Sequence, residues 1–159
     1  MYQVSRHDRV NKLDGFPHIC PGAPLPLLLA NETKFALRCR LLEPLVPDAA
    51  DRYAVLGGWG DYYFGSPNDE ALEGHPLYKR GLESYGVYEV LHSSWIREAE
   101  RRNRSHVGHN PARFDDFHHY IITFHDNLFE CMSESLEILG TPSDIDKAMK
   151  LMWDWVGTT

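Results

Sequence analysis

The chain has 159 residues, 43% of them apolar and 25% charged, which fits one domain with its own core and argues against a disordered or membrane-embedded class. A net charge of −7 opposes the approach of a polyanion, so nucleic acid is not expected as a partner. Cys20, Cys39 and Cys131 include no Cys-x-x-Cys pair and read as reduced thiols. No run approaches the roughly 18 apolar residues of a spanning helix, so the chain reads as cytoplasmic, without a membrane partner.

Residues 1–26 carry Pro17, Pro21, Pro24 and Pro26 and read as a lead-in arm to a single domain over 1–159. Leu27 to Ala30 and Lys34 to Leu42 flank Asn31-Glu32-Thr33 in the manner of a hairpin. Pro44, Pro47 and Asp48 end that pair. Arg52 to Leu56 predicts another strand, Gly57 to Gly60 a turn, and Tyr62 to Phe64 its continuation. Ser66-Pro67-Asn68-Asp69 has the grammar of a helix start, with Gly74 as its stop after about two turns.

Val87, Tyr88, Val90 and Leu91 favour a strand between Tyr85 and Leu91, and Ser93-Ser94 offers caps for a charged helix from Trp95 to about Asn103. Within it, Glu98 with Arg102 and Glu100 with Arg104 have the i,i+4 spacing of a solvated face, which accounts for the arginines at 97, 101, 102 and 104. Phe117 to Phe124 predicts the clearest strand, with Tyr120, Ile122 and Phe124 on one face. Asp126-Asn127 then turns the chain back through Leu128 to Met132. Thr141 to Asp144 repeats the cap grammar before a C-terminal helix whose apolar positions are Ile145, Ala148, Met149, Met152, Trp153 and Val156. The expected fold is therefore α+β: a curved antiparallel sheet with two or three helices, the last packed on the sheet.

No phosphate loop, dinucleotide fingerprint, nucleophile elbow or His-Glu-x-x-His motif is present. Function must be sought in side-chain concentrations. His125, Asp126 and Glu130 lie near one hairpin tip, and a carboxylate can orient a histidine for acid–base work. His119 shares a strand face with Ile121, Thr123 and His125, which makes His119 and His125 the best pair. No third definite ligand accompanies them, so neither a metal nor another cofactor is assigned. Asn68-Asp69-Glu70 with Glu73 and His75 could bring carboxylates and a histidine to a cleft, although helix capping explains the acids. Cys131 fits a small buried hydrophobe.

Trp59, Tyr63, Tyr88, Trp95 and Tyr120, with His92, are candidate pocket-lining residues, because apolar walls with few polar groups are the usual anatomy of a small-molecule site. The runs Pro67-Asn68-Asp69-Glu70-Ala71-Leu72, Gly74-His75-Pro76-Leu77-Tyr78, Ser93-Ser94-Trp95-Ile96 and Phe124-His125-Asp126 with Phe129-Glu130-Cys131 together resemble a family of uncharacterised bacterial proteins, over roughly positions 24 to 131. That resemblance implies no activity and no site residue.

The leading expectation is a small-molecule-binding protein, or small enzyme, using His/carboxylate acid–base chemistry in an aromatic pocket. Its partner is then an unidentified small molecule, and a homo-oligomer is compatible with this. The competing class is a non-enzymatic interaction module, of immunity or adaptor type, with an acidic surface.

Overall fold

The computed structural model describes residues 2–42 and 51–158; the predicted stop at Pro44, Pro47 and Asp48 lies outside them. Among the described residues the chain forms strands β1 (Arg9–Lys12), β2 (Leu27–Ala30), β3 (Lys34–Arg40), β4 (Tyr53–Trp59), β5 (Asp61–Gly65), β6 (Val87–Leu91), β7 (His118–Thr123), β8 (Leu128–Ser133) and β9 (Leu136–Gly140). Two α-helices accompany them, α1 (Ser94–Asn103) and α2 (Ile145–Gly157). The class is α+β as expected, but the strands divide into two antiparallel sheets, ordered β1-β6-β7-β8-β5 and β2-β3-β4-β9. No helix among the described residues is long and apolar enough to cross a membrane.

Period-two alternation explains the layering. Phe35, Leu37 and Cys39 of β3 with Ala54 and Leu56 of β4 meet Ile122, Phe129 and Cys131 of the other sheet in one buried cluster. The opposite face of β3 and β4 presents Ala36, Tyr53 and Val55 to Ala148, Met152 and Val156 of α2. All three cysteines are free thiols. Burial pushes the Cys39 thiol up to about 12.

Local chemistry places most of the breaks. Asn31 closes the β2–β3 hairpin by accepting the Thr33 and Lys34 N–H groups at 2.9 and 2.8 Å. Ser93 caps α1 by accepting the Trp95 and Ile96 N–H groups, and Asp144 caps α2 through those of Asp146 and Lys147. The last turn of α2 is held by Lys34, whose ammonium donates to the Thr158 carbonyl and lies 4.3 Å from the Trp59 ring. Of the predicted apolar face of α2, Ala148, Met152 and Val156 are buried, whereas Ile145, Met149 and Trp153 are exposed.

Two expectations are corrected. The predicted helix after Ser66 is absent: residues 66–71 are irregular, Asn68 accepts the Ala71 N–H at 3.2 Å, and only a 3₁₀ turn forms at Leu72–Gly74. The Asp69 N–H, which a Ser66 cap would have served, donates instead to the His125 carbonyl at 2.9 Å. The predicted turn at Gly57–Gly60 is confined to Gly60, where φ is +124°. Gly57 and Gly58 belong to β4, opposite Ala36 and Phe35.

They are glycines there because rings need the space. A Cβ on Gly58 would lie 2.4 Å from Phe35 Cζ, and one on Gly57 would lie 2.7 Å from Trp155 Cε2. Gly58→Ala is therefore expected to destabilise the protein by about 1–3 kcal/mol through displacement of the Phe35 ring. Urea unfolding should show a lower midpoint at unchanged slope; an unchanged midpoint would mean the ring is free to move.

Candidate functional site

The outer face of the five-stranded sheet, turned away from the four-stranded sheet, carries the polar residues that alternation does not explain. Register places Tyr63, Glu130 and Ile121 in one cross-strand row and Asp61, Met132 and His119 in the next, so all six share this face. Leu72, Leu77 and Leu82 cover its Tyr88, Ile121 and Leu128 end. Helix α1 and the segment after it stand over the remainder. Between them lies a cavity of about 690 Å³, whose lining includes Tyr2, Tyr63, Trp95, Phe114, Phe117 and Glu130.

Glu130 is 3% exposed and accepts three hydrogen bonds from distant segments. His75 Nε2 lies 3.3 Å from Oε1, His119 Nε2 lies 3.1 Å from Oε2, and the Tyr2 hydroxyl donates to Oε2 at 3.0 Å. The remaining ring nitrogens fix the tautomers. His75 Nδ1 accepts the Leu77 N–H at 3.2 Å, so its Nε2 carries the proton toward the carboxylate. Ser93 Oγ already accepts two N–H groups from the start of α1, so its O–H donates to His119 Nδ1 at 2.9 Å, and His119 likewise presents Nε2–H. Glu130 is thus an anion surrounded by neutral donors.

Burial alone would raise the Glu130 carboxyl, but the bonds from His119 and His75 together with the favourable electrostatics of these two imidazoles outweigh it and bring it down to about 2. The Tyr2 phenol is pushed strongly upward, first by burial and then by the neighbouring Glu130 charge, and holds its proton. Its ring stacks on Trp95, with centroids 5.6 Å apart and planes 2° from parallel, while His119 meets both rings edge-on.

The arm that carries Tyr2 is pinned by a buried carboxylate. Asp8 Oδ1 accepts from Ser94 Oγ at 2.8 Å, Ser5 Oγ at 3.1 Å and the Arg97 guanidinium at 3.1 Å. The expected helix-face pairs also form, with Arg102 2.8 Å from Glu98 and Arg104 2.8 Å from Glu100.

The structure brings His119, Glu130, Trp95 and Tyr63 of the sequence-selected residues together and separates the others. His125, 44% exposed, pairs with Asp69 at 3.0 Å beside Tyr85, away from Glu130. Asp126 occupies the exposed turn with His125, spanned by the Phe124 N–H to Asn127 carbonyl bond. The hairpin-tip grouping of His125, Asp126 and Glu130 therefore does not form, because strand alternation and the turn direct Glu130 to His119. Tyr88 is buried beneath Leu72, Leu77 and Leu82, and Tyr120 faces the space between the sheets. Trp59 packs on Trp155 beside Lys34, and His92 is exposed with φ +54°. Among the described residues no three His, Cys, Asp or Glu side chains are disposed to hold a metal ion.

Tyr2 was not legible as a site residue, since nothing in a proline-rich arm announces where its first aromatic will dock. His75 carried a signal in its proximity to Asp69 and Glu73, but capping accounted for those acids. Comparison with protein-family models, curated proteins and solved structures finds no match.

The low Glu130 value makes acid stability a direct readout. A carboxyl depressed on folding contributes stability that is complete above its ordinary value near 4.5 and is lost as pH falls toward about 2. From about pH 6 to about pH 3 the wild type should lose on the order of 2 kcal/mol from this group. Glu130→Gln should be less stable at neutral pH by about 1–3 kcal/mol and should lack that component of the pH dependence. Urea titrations at the two pH values check this; an equal acid loss in both proteins would show that Glu130 is not held ionised.

Proposed function

We propose that the protein binds a small molecule in the cavity between α1 and the outer face of the five-stranded sheet, with Glu130 as its polar anchor. One observation carries this reading: a buried ionised carboxylate, oriented by three neutral donors, lines a cavity of about 690 Å³ with aromatic walls. That volume lies within the ordinary range for small-molecule pockets. A few convergent polar groups among aromatic side chains fix a ligand's orientation while the walls bury its body.

Acid–base chemistry in the same pocket is the second reading, favoured by the continuous chain Ser93–His119–Glu130–Tyr2. Ser93 in this chain is no nucleophile, since it is buried and its oxygen is occupied by the α1 cap. A carboxylate near 2 is a weak base at neutral pH, and a phenol pushed upward is a weak acid. The resting arrangement accordingly suits binding and charge stabilisation better than proton transfer.

A fragment screen by ligand-observed NMR tests the pocket. Fragments that bind the wild type should weaken about tenfold or more with Trp95→Ala, which removes a wall, and remain unchanged with His125→Ala. Hits that bind both variants as they bind the wild type would place the site elsewhere. If no fragment binds while a protein partner is captured with salt-sensitive affinity, the interaction-module reading takes precedence.

A further inference from the structure

We infer that the ligand of this pocket is an organic ammonium ion, a protonated amine carrying an aromatic or apolar body; the inference rests on the pocket reading above. It begins with charge. Apart from the phenols of Tyr2 and Tyr63, the titratable side chains lining the cavity are Asp61, Glu98, Arg102, His106 and Glu130. Arg102 pairs with Glu98 at 2.8 Å, and Glu98 also receives Arg101 at 2.5 Å from outside the lining. Asp61 has no ion-pair partner among the described residues, and Glu130 is met only by the Tyr2 hydroxyl and two imidazole N–H groups whose opposite nitrogens are engaged as acceptors. Two carboxylates therefore face the cavity without a neutralising cation from the protein.

The bonding capacity of Glu130 is also incomplete. An ionised carboxylate offers about four acceptor positions, and the protein fills three, two on Oε2 and one on Oε1. An ammonium N–H supplies a donor and a positive charge together. In a site of reduced dielectric such a charge-assisted bond is stronger than one from a neutral hydroxyl.

The walls select the rest of the ligand. Trp95, Tyr63, Phe114 and Phe117 present aromatic surface around the carboxylate. Aromatic faces attract an organic cation through the ring quadrupole and bury its hydrocarbon body. A bare metal ion is poorly matched by such walls, and an organic anion would meet Asp61 and Glu130 with like charge.

The test uses the full chain and four probes of similar shape: phenethylammonium, tryptammonium, the neutral 2-phenylethanol and the anionic phenylacetate. Binding is read from the Trp95 indole N–H resonance, assigned by its loss in Trp95→Phe, with affinities from its titration. Both cations should shift this resonance saturably, 2-phenylethanol should bind about tenfold or more weakly, and phenylacetate should not bind. Affinity for phenethylammonium should fall severalfold in Asp61→Asn, an exposed substitution that leaves the core untouched, and more steeply in Glu130→Gln.

Equal binding of 2-phenylethanol, preferential binding of phenylacetate, or cation binding unmoved by Asp61→Asn overturns the charge assignment while leaving a small-molecule pocket in place. If all four probes leave the Trp95 resonance unmoved while the fragment screen still finds Trp95-dependent ligands, the ammonium inference alone fails. If that screen is also empty, the pocket reading fails with it.

Discussion

The arrangement depends on one buried charge. Glu130 sits on β8 with its carboxylate in the outer layer, and an anion there persists only while donors surround it. Those donors come from the arm through Tyr2, from the segment between β5 and β6 through His75, and from the neighbouring strand through His119. Two pieces of chain with little regular structure, the arm and the segment between β5 and β6, are thereby drawn to a point on the β7–β8 strand pair. Ser93 extends the constraint, because the hydroxyl that sets the His119 tautomer also caps α1 and so ties the helix over the cavity to the group beneath it.

A second carboxylate–histidine pair in the same molecule shows how exposure changes the meaning of similar chemistry. Asp69, His125 and Tyr85 cluster where the segment before β6 meets the β7–β8 turn. Bonds from Tyr85 and then His125 hold the Asp69 carboxyl below its usual range, and the bond to Asp69 raises His125. Each partner thus favours the charged form of the other. At an exposed position such a pair is screened by water and contributes little. It clips the turn to the segment before β6, an attachment reinforced by the Asp69 N–H donating to the His125 carbonyl at 2.9 Å.

What could be read from the sequence follows from the range of the interaction that decides each feature. Caps and turns are local, and Asn31, Ser93 and Asp144 act where residue chemistry places them. Strand alternation is also local, which is why Tyr120, Ile122 and Phe124 share a face as expected. The division into two sheets is decided by β4 pairing with β9 rather than continuing into the sheet of β5, and no local pattern specifies that. Gly57 and Gly58 mislead for a related reason: their freedom suggests a turn, whereas the need is for space beneath Trp155 and Phe35, residues remote in the chain. Within the site, His119 and Glu130 were recognisable as reactive types, but their partnership with His75 and Tyr2 is purely tertiary.

The composition of β8 supplies the last step. Its inward residues Phe129 and Cys131 are apolar, and its outward neighbours Leu128 and Met132 are apolar as well, so an aliphatic residue at 130 would continue both patterns. Replacing a buried polar network by well-packed hydrocarbon is often neutral or stabilising, so packing gives no reason to maintain a carboxylate with two tautomer-fixed histidines and a phenol around it. Places where a chain departs from the choice its own core favours are where chemistry outside folding is served. In this protein that departure coincides with an aromatic cavity, and the coincidence favours the proposed pocket on the outer face of β8 over the His125–Asp69 pair at the hairpin turn.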